Sequence, residues 1–194
     1  MAFEITIDHL VAIAGRSTRL MRDLPEWINK TCPGYGIDSP WEYAHFLAQA
    51  CHETDHFKTF REYASGKAYE GRKDLGNNKP GDGVRFKGRG IFQTTGRGSY
   101  LQLGIKKGRR DLFINTPELL EQPEYAVWSA CEYWAAHNFN DIANHADTDI
   151  LKKKYQRKVI DVSPVEYISI TINGGFNGMD ERKKFYALAK NILA

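Results

Sequence analysis

Little in this chain would staple it, anchor it or mark it for a polyanion. Cys32, Cys51 and Cys131 are its three cysteines, with no CxxC pair. Such a set builds no disulfide framework. Cys51 and Cys131 lie in apolar periodic segments, where buried free thiols belong. No apolar run approaches the ~18 residues needed to span a bilayer. Met1 to Met21 lacks a continuous apolar stretch and carries Glu4, Asp8 and His9 early, unlike a secretory leader, so synthesis in a cytoplasm is expected. The formal net charge is only +3, too little to mark a nucleic-acid binder when the acids are not segregated from the bases. No GxSxG elbow supports a serine hydrolase. Gln93 occupies the place where a GxGxxG dinucleotide fingerprint needs its last glycine. Strand signals are few.

What is present reads as a globular, mainly α protein. Hydrophobic residues make up 42% and charged residues 26% of 194, enough for one domain over 1–194 with a substantial core. Thr6 is placed to cap a helix ending at Gly15, and Pro25 should break a second one over about 18–29. Ser39, Pro40 and Glu42 give the start signal of a strong helix in which Tyr43, Phe46, Leu47, Ala50 and Cys51 form an apolar face. The opposite face carries His45, Gln49 and Glu53. From Tyr63 to Arg89 no period persists, and an irregular lobe is expected, with room for a small hairpin near Val84–Lys87. Thr116 should cap a helix that Pro123 restarts. Tyr125–His137 reads as a core helix and Asn138–Asp149 as a polar connection. Leu151–Lys158 looks like a basic, solvated helix face. Pro164 opens a helix to about Ile170, and Asp180 caps the last one to Leu193.

Three constellations could carry chemistry. His52-Glu53-Thr54-Asp55-His56 fits HExxH zinc spacing, but Asp55 would be a costly charge where such helices pack inward, and no metal site is expected. Val84 to Tyr100 (VRFKGRGIFQTTGRGSY) mixes cations, glycines and aromatics as single-strand nucleic-acid binders do. The third is a carboxylate pair, Glu53 and Glu62. Glycoside hydrolysis needs one carboxyl to protonate the leaving oxygen and a second to activate water or attack. Glu53, leaving a buried helix, is placed to keep its proton, and Glu62, beside Arg61, to stay ionised. On one unbroken helix the two would point about 180° apart. They converge only if the helix ends near Thr54 and the chain folds back.

These residues lie in motifs that resemble glycoside hydrolase family 19, the plant-type chitinases and bacteriophage lysis enzymes. FLAQACHET at Phe46–Thr54, FKGRGIFQTTGRGSY at Phe86–Tyr100 and ISITINGGFNG at Ile168–Gly178 follow the family's order. The short Glu53–Glu62 interval is similar to that of compact bacterial and phage members. The resemblance implies a lysozyme-like, two-lobed fold and an inverting reaction without cofactor, with Glu53 as general acid and Glu62 as general base. It implies that Thr95 holds the water, Gln93 and Asn173 contact sugar, and Arg182 orients the acid. His52, Arg89 and Tyr100 complete the expected substrate-binding set. The expected substrate is bacterial peptidoglycan, reached after release or delivery to the wall, with chitin oligomers as the alternative. A wall-binding module without catalysis is the rival from another class. A monomer that binds no nucleic acid and does not insert into membranes is expected. Ser99 and Asn177 depart from the family pattern, and the basic stretch about 149–164 looks longer than in close relatives.

Overall fold

A computed structural model describes residues 3–194. Thr6 closes a capping box at the start of α1 (Ile7–Ala14), and Gly15 ends that helix at φ 70°. The break near Pro25 takes the form of a 3₁₀ turn, Arg19–Arg22, followed by α2 (Leu24–Thr31) with Pro25 in its first turn. There the missing amide has no partner to lose. Another 3₁₀ turn, Cys32–Tyr35, leads to α3 (Pro40–Glu53), opened by the Ser39–Glu42 capping box.

The remaining elements wrap α3. From Glu42 to Cys51 every residue is buried, so the helix has no solvent face. Tyr43, Phe46, Leu47 and Ala50 join a core with Ile13, Leu24, Trp134 and Phe139. His45 and Gln49, expected on a polar face, are equally buried. They are covered because the last helix packs along that side.

α3 stops at Glu53, and the chain reverses through Asp55, His56 and Phe57 at φ 49°, 59° and 58°. Left-handed backbone costs roughly 1–2 kcal/mol per non-glycine residue, so the turn needs fixing from outside. The Thr54 hydroxyl donates to the Ala50 carbonyl (2.6 Å) and accepts from the Phe57 amide (2.9 Å). The Thr18 hydroxyl donates to the Phe57 carbonyl at 2.5 Å, and the Phe57 ring is fully buried. This turn removes the zinc-helix geometry, since His52 and His56 no longer share a helix face. Among the described residues there is no metal-ligand cluster.

The lobe after Tyr63 is irregular as expected, with 3₁₀ turns at Lys67–Tyr69 and Lys73–Leu75 and a short α4 (Asp82–Arg85). The helix occupies the place where a hairpin was expected. Asp82 takes the amides of Asn78 and Lys79, which closes a turn rather than a ladder. α5 (Arg97–Lys106) and α6 (Leu112–Asn115) follow. Next come a 3₁₀ segment Pro117–Glu121 that Thr116 does not cap, then α7 (Pro123–Ala136) and α8 (Phe139–Ala143). α8 lies within the stretch expected to be a polar connection. Phe86, Tyr100, Phe113, Leu120 and Trp128 form a second core under the lobe.

The basic run is not helical. β1 (Leu151–Tyr155) pairs antiparallel with β2 (Lys158–Val162), Leu151 opposite Val162 and Tyr155 opposite Lys158. Leu151, Lys153 and Tyr155 face inward, a period of two that the lysines disguise. The Lys153 ammonium lies over the Tyr167 ring, its Nζ 3.9 Å from the centroid. α9 (Pro164–Asn173) begins at a Ser163–Glu166 capping box. α10 (Met179–Leu193) starts after Gly178, with Asp180 inside its first turn rather than capping it. The fold is thus mainly α, and among the described residues its hairpin spans 151–162, outside the lobe expected to hold one.

Two outcomes test this packing. His45 is fully buried and stacked on Tyr186 at 4.1 Å with neither ring nitrogen hydrogen-bonded among the described residues. Burial lowers its pKa from 6.5 to about 4, against the opposing pull of Asp147. Between those values the unfolded chain binds a proton that the folded chain does not. Stability is therefore full above pH 6.5 and falls by roughly 3 kcal/mol as pH drops through 4. Urea melts across that range should show the loss in wild type and a flatter profile in His45→Phe. Thr54→Val, which strands the Phe57 amide, should destabilise by about 1–3 kcal/mol in the same assay.

Candidate active site

Glu53 ends α3 one residue before the reversal, with its side chain 17% exposed. Burial alone would give it an apolar pocket. Instead a guanidinium lies on it: Arg182 Nη2 donates to Glu53 Oε1. Arg182 is 1% exposed, so its charge requires partners within the protein. Its Nη1 donates to Gln49 Oε1 at 2.6 Å, and Gln49 Nε2 donates to the Ser169 hydroxyl at 2.9 Å. Gln49 recurs one turn before Glu53, so one helix face presents both acceptors to one fork. Next to Arg182, Glu181 reaches His52 Nδ1 (2.6 Å) and His56 Nε2 (3.5 Å). This ties the end of α3 and the reversal to the first turn of α10.

Glu62 arrives by the fold-back that convergence required. Its amide donates to the Gly88 carbonyl at 3.0 Å, and residues 61, 89 and 94 make isolated antiparallel bridges. Glu62 Oε2 accepts from the Tyr69 hydroxyl at 2.9 Å. Burial and then this bond raise the Tyr69 pKa, keeping the phenol a donor. Oε1 is shielded from solvent and has no hydrogen-bond partner among the described residues. Arg61 turns away from Glu62 toward Glu121, at 3.8 Å.

Gly88 is where the second motif meets this carboxylate. A Cβ there would lie 2.5 Å from Gln93 Oε1, 3.3 Å from Glu62 Oε2 and 3.4 Å from Thr95 Oγ1. Three of the expected residues therefore border one small space, open because residue 88 has no side chain. Gln93 holds a left-handed backbone at φ 50°, with its Nε2 donating to the Gly90 carbonyl, while Thr95 Oγ1 donates to the Gln93 carbonyl at 2.8 Å. A groove of about 590 Å³ opens beside them, lined by Phe92, Gln93, Thr95, Ser99, Leu103 and Tyr133. Neither glutamate lines its floor. Glu62 meets it through Gln93 and Thr95. Tyr133 lines the groove, its phenol held protonated by burial first and by the Glu53 charge second.

Other expected contacts prove internal. Tyr100 is fully buried, its hydroxyl donating to the Lys87 carbonyl at 2.6 Å and accepting from Arg89. Arg89, 5% exposed, is spent on Glu121 (2.7 Å) and the Arg85 carbonyl (2.8 Å). Both hold the lobe together rather than facing a ligand. His52 is committed to Glu181, and Arg182 addresses Glu53 from inside the core. Asn173, at the end of α9, is half-buried and donates to the Asn177 carbonyl at 3.4 Å. Sequence reading passed over Tyr69, Gly88 and Tyr133. Only Gly88 left a signal, as the first glycine of the GRG triplet.

No family model matches the chain. A glycosyl hydrolase family 19 domain-containing protein of Haemophilus influenzae is 27% identical over 182 residues, spanning 78% of this chain and 80% of that protein. In fold the chain is similar to chitinase C from Streptomyces griseus HUT6037, with a TM-score of 0.67 and 17% identity over 98% of this chain and 77% of that one. It is equally similar to a glutamate-to-glutamine mutant of chitinase C, with a TM-score of 0.67 and 16% identity over 99% and 93% of the two chains. The two solved structures show the fold, and the relative carries the family that the three motifs resemble.

Gly88→Ala tests the site's crowding. Its methyl would displace Gln93 and press on Glu62 and Thr95 in a backbone that alanine tolerates. Glycan turnover should drop on the order of 10²-fold, with the thermal midpoint nearly unmoved. Equal turnover in both proteins would mean that this space takes no part.

Proposed function

We propose that this chain, a glycoside hydrolase of family 19, cleaves β-1,4 links between N-acetylated aminosugars by inversion, with peptidoglycan as its polymer. Glu53, protonated in the reacting complex, gives its proton to the glycosidic oxygen as the bond to the anomeric carbon breaks. A water attacks that carbon from the opposite face, and its proton passes to Glu62. Arg182 aims the acid, and the Thr95 hydroxyl helps hold the water beside Glu62. A carboxyl separation of roughly 6.5–9.5 Å suits that chemistry.

The observation that carries this reading is the division of labour on Glu62. One oxygen is held by Tyr69, and the other has no hydrogen-bond partner among the described residues. A buried carboxylate oxygen without a partner is costly unless something is meant to bind it, and a nucleophilic water fits its chemistry. Peptidoglycan is favoured by the short Glu53–Glu62 interval, which is similar to that of compact lysis enzymes. Chitin is the second reading, because the solved structures with the same fold are named chitinases.

The test is reducing-end release from purified peptidoglycan and from soluble chitin oligomers, with and without a chelator. Wild type should cut peptidoglycan regardless of chelator. Glu53→Gln and Glu62→Gln should each lose at least about 10²-fold, the range of general acid–base catalysis. Cleavage of chitin alone would move the substrate to the second reading. Full activity in Glu53→Gln would overturn the mechanism.

A further inference from the structure

The β1–β2 hairpin concentrates Lys152, Lys153, Lys154, Arg157 and Lys158 in a chain whose net charge is +3. Two of these cations are engaged. Lys152 pairs with Asp161 across the strands, and Lys153 donates to the Thr171 hydroxyl at 2.6 Å. Lys154, Arg157 and Lys158 are exposed and pair with no carboxylate among the described residues. They cluster at the tip, around a turn in which Gln156 takes φ 54°. Unscreened by acids of their own, they project a local positive field that net charge does not reveal.

The tip is also fixed in place. The Tyr155 ring packs edge-on to Phe176 at 5.3 Å, and its hydroxyl would lie 3.3 Å from a Cβ on Gly175. Beneath the hairpin, Val162, Ile170 and Met179 form a small core with Leu151 and Ile160. The loop it rests on begins at Asn173 and ends at Gly178, which abuts the His52 ring so closely that a Cβ would come within 2.1 Å of it. His52 precedes Glu53. A continuous run of contacts thus joins the cationic tip to the end of α3 that carries the proposed acid.

We propose that this tip docks the carboxylate-bearing peptide stems of the same glycan strand that enters the groove, making the hairpin a specificity element for anionic over neutral aminosugar polymers. The inference rests on the glycan-cleaving reading above and names the feature that separates its two substrates. Chitin offers no charge to these cations, whereas peptidoglycan repeats carboxylates along its length. A lipid surface fits less well, because surface-bound elements insert a contiguous apolar face beside their cations. Here Tyr155 and Ile160 turn inward, and exposed Val159, opposite Lys154, is one apolar side chain set among cations, with Ile150 at the far end of the hairpin from the turn.

Binding without turnover tests it. Glu53→Gln protein, with and without Lys154→Glu, Arg157→Glu and Lys158→Glu, is co-sedimented with intact peptidoglycan, with peptidoglycan whose carboxylates have been amidated, and with insoluble chitin. The reversal should weaken binding to intact peptidoglycan about tenfold, the effect shrinking at high salt. Amidation should weaken the parent to the same level, and binding to chitin should not change. The corresponding triple glutamine variant should fall between, which guards against a misfolded hairpin. In the active background, the triple reversal should leave cleavage of soluble chitin oligomers unaltered. Equal loss on chitin and peptidoglycan, or no loss on either, would overturn the proposal. So would cation-dependent binding to phosphatidylglycerol vesicles but not to the wall. Because sedimentation needs no catalysis, an enzyme that cut neither polymer would defeat the glycosidase reading without deciding the docking result.

Discussion

A buried guanidinium organises this protein. Arg182 has almost no access to water, and an ion in that position is costly unless partners within the protein oppose its charge. Glu53 and Gln49 take its two terminal nitrogens from successive turns of α3, Ser169 holds Gln49 from α9, and Nε has no partner among the described residues. Three helices are thereby locked in rotation and in axial register, because a fork of fixed geometry accepts only one arrangement of acceptors. Hydrophobic packing of α3 against the rest of the core would permit small slides. The polar contact does not, and it points the Glu53 carboxyl in one direction.

The same arrangement recurs across the groove on a smaller scale. Arg89 is buried under the lobe and fixed by Glu121, Tyr100 and the Arg85 carbonyl. Asp82 is the counterpart acid, held by Arg97 and two backbone amides. A lobe with few regular backbone ladders takes its shape from such side-chain clamps. These in turn place Gly88, Gln93 and Thr95 against Glu62. Each half of the site is therefore set by a buried ion pair in its own lobe.

Three successive left-handed residues connect the two halves. Their backbone strain is opposed by Thr54, Thr18, the buried Phe57 ring and the pairing of both histidines with Glu181. Strain concentrated beside a candidate active site is typical where geometry takes precedence over local comfort. Here it turns the chain back from the end of α3, so that Glu53 stays with Arg182 while Glu62 joins Gly88 in the lobe.

The sequence by itself determined the mainly α class, the caps at Thr6 and Ser39, the break before Pro25 and the burial of Cys51 and Cys131 in helical core, and its motifs named Glu62, Gln93 and Thr95, which border one space at Gly88. Those readings rest on local rules: caps, periodicity and the matching of motifs. What was misread depended on partners distant in the chain. Tyr100, Arg89 and His52 looked like ligand contacts because polar residues in a motif do not reveal which way they face; the first two are buried, and His52 is paired with Glu181. The basic run looked helical because its period of two appears only once Tyr167 and Thr171 engage the Lys153 ammonium. The polar side of α3 looked exposed because nothing local says that a helix over a hundred residues later will bury it. Tertiary structure alone decided the turn after Thr54, since contacts with Ala14, Thr18 and Glu181 hold that backbone, and with it the return of the chain that sets Glu62 against Gly88, Gln93 and Thr95.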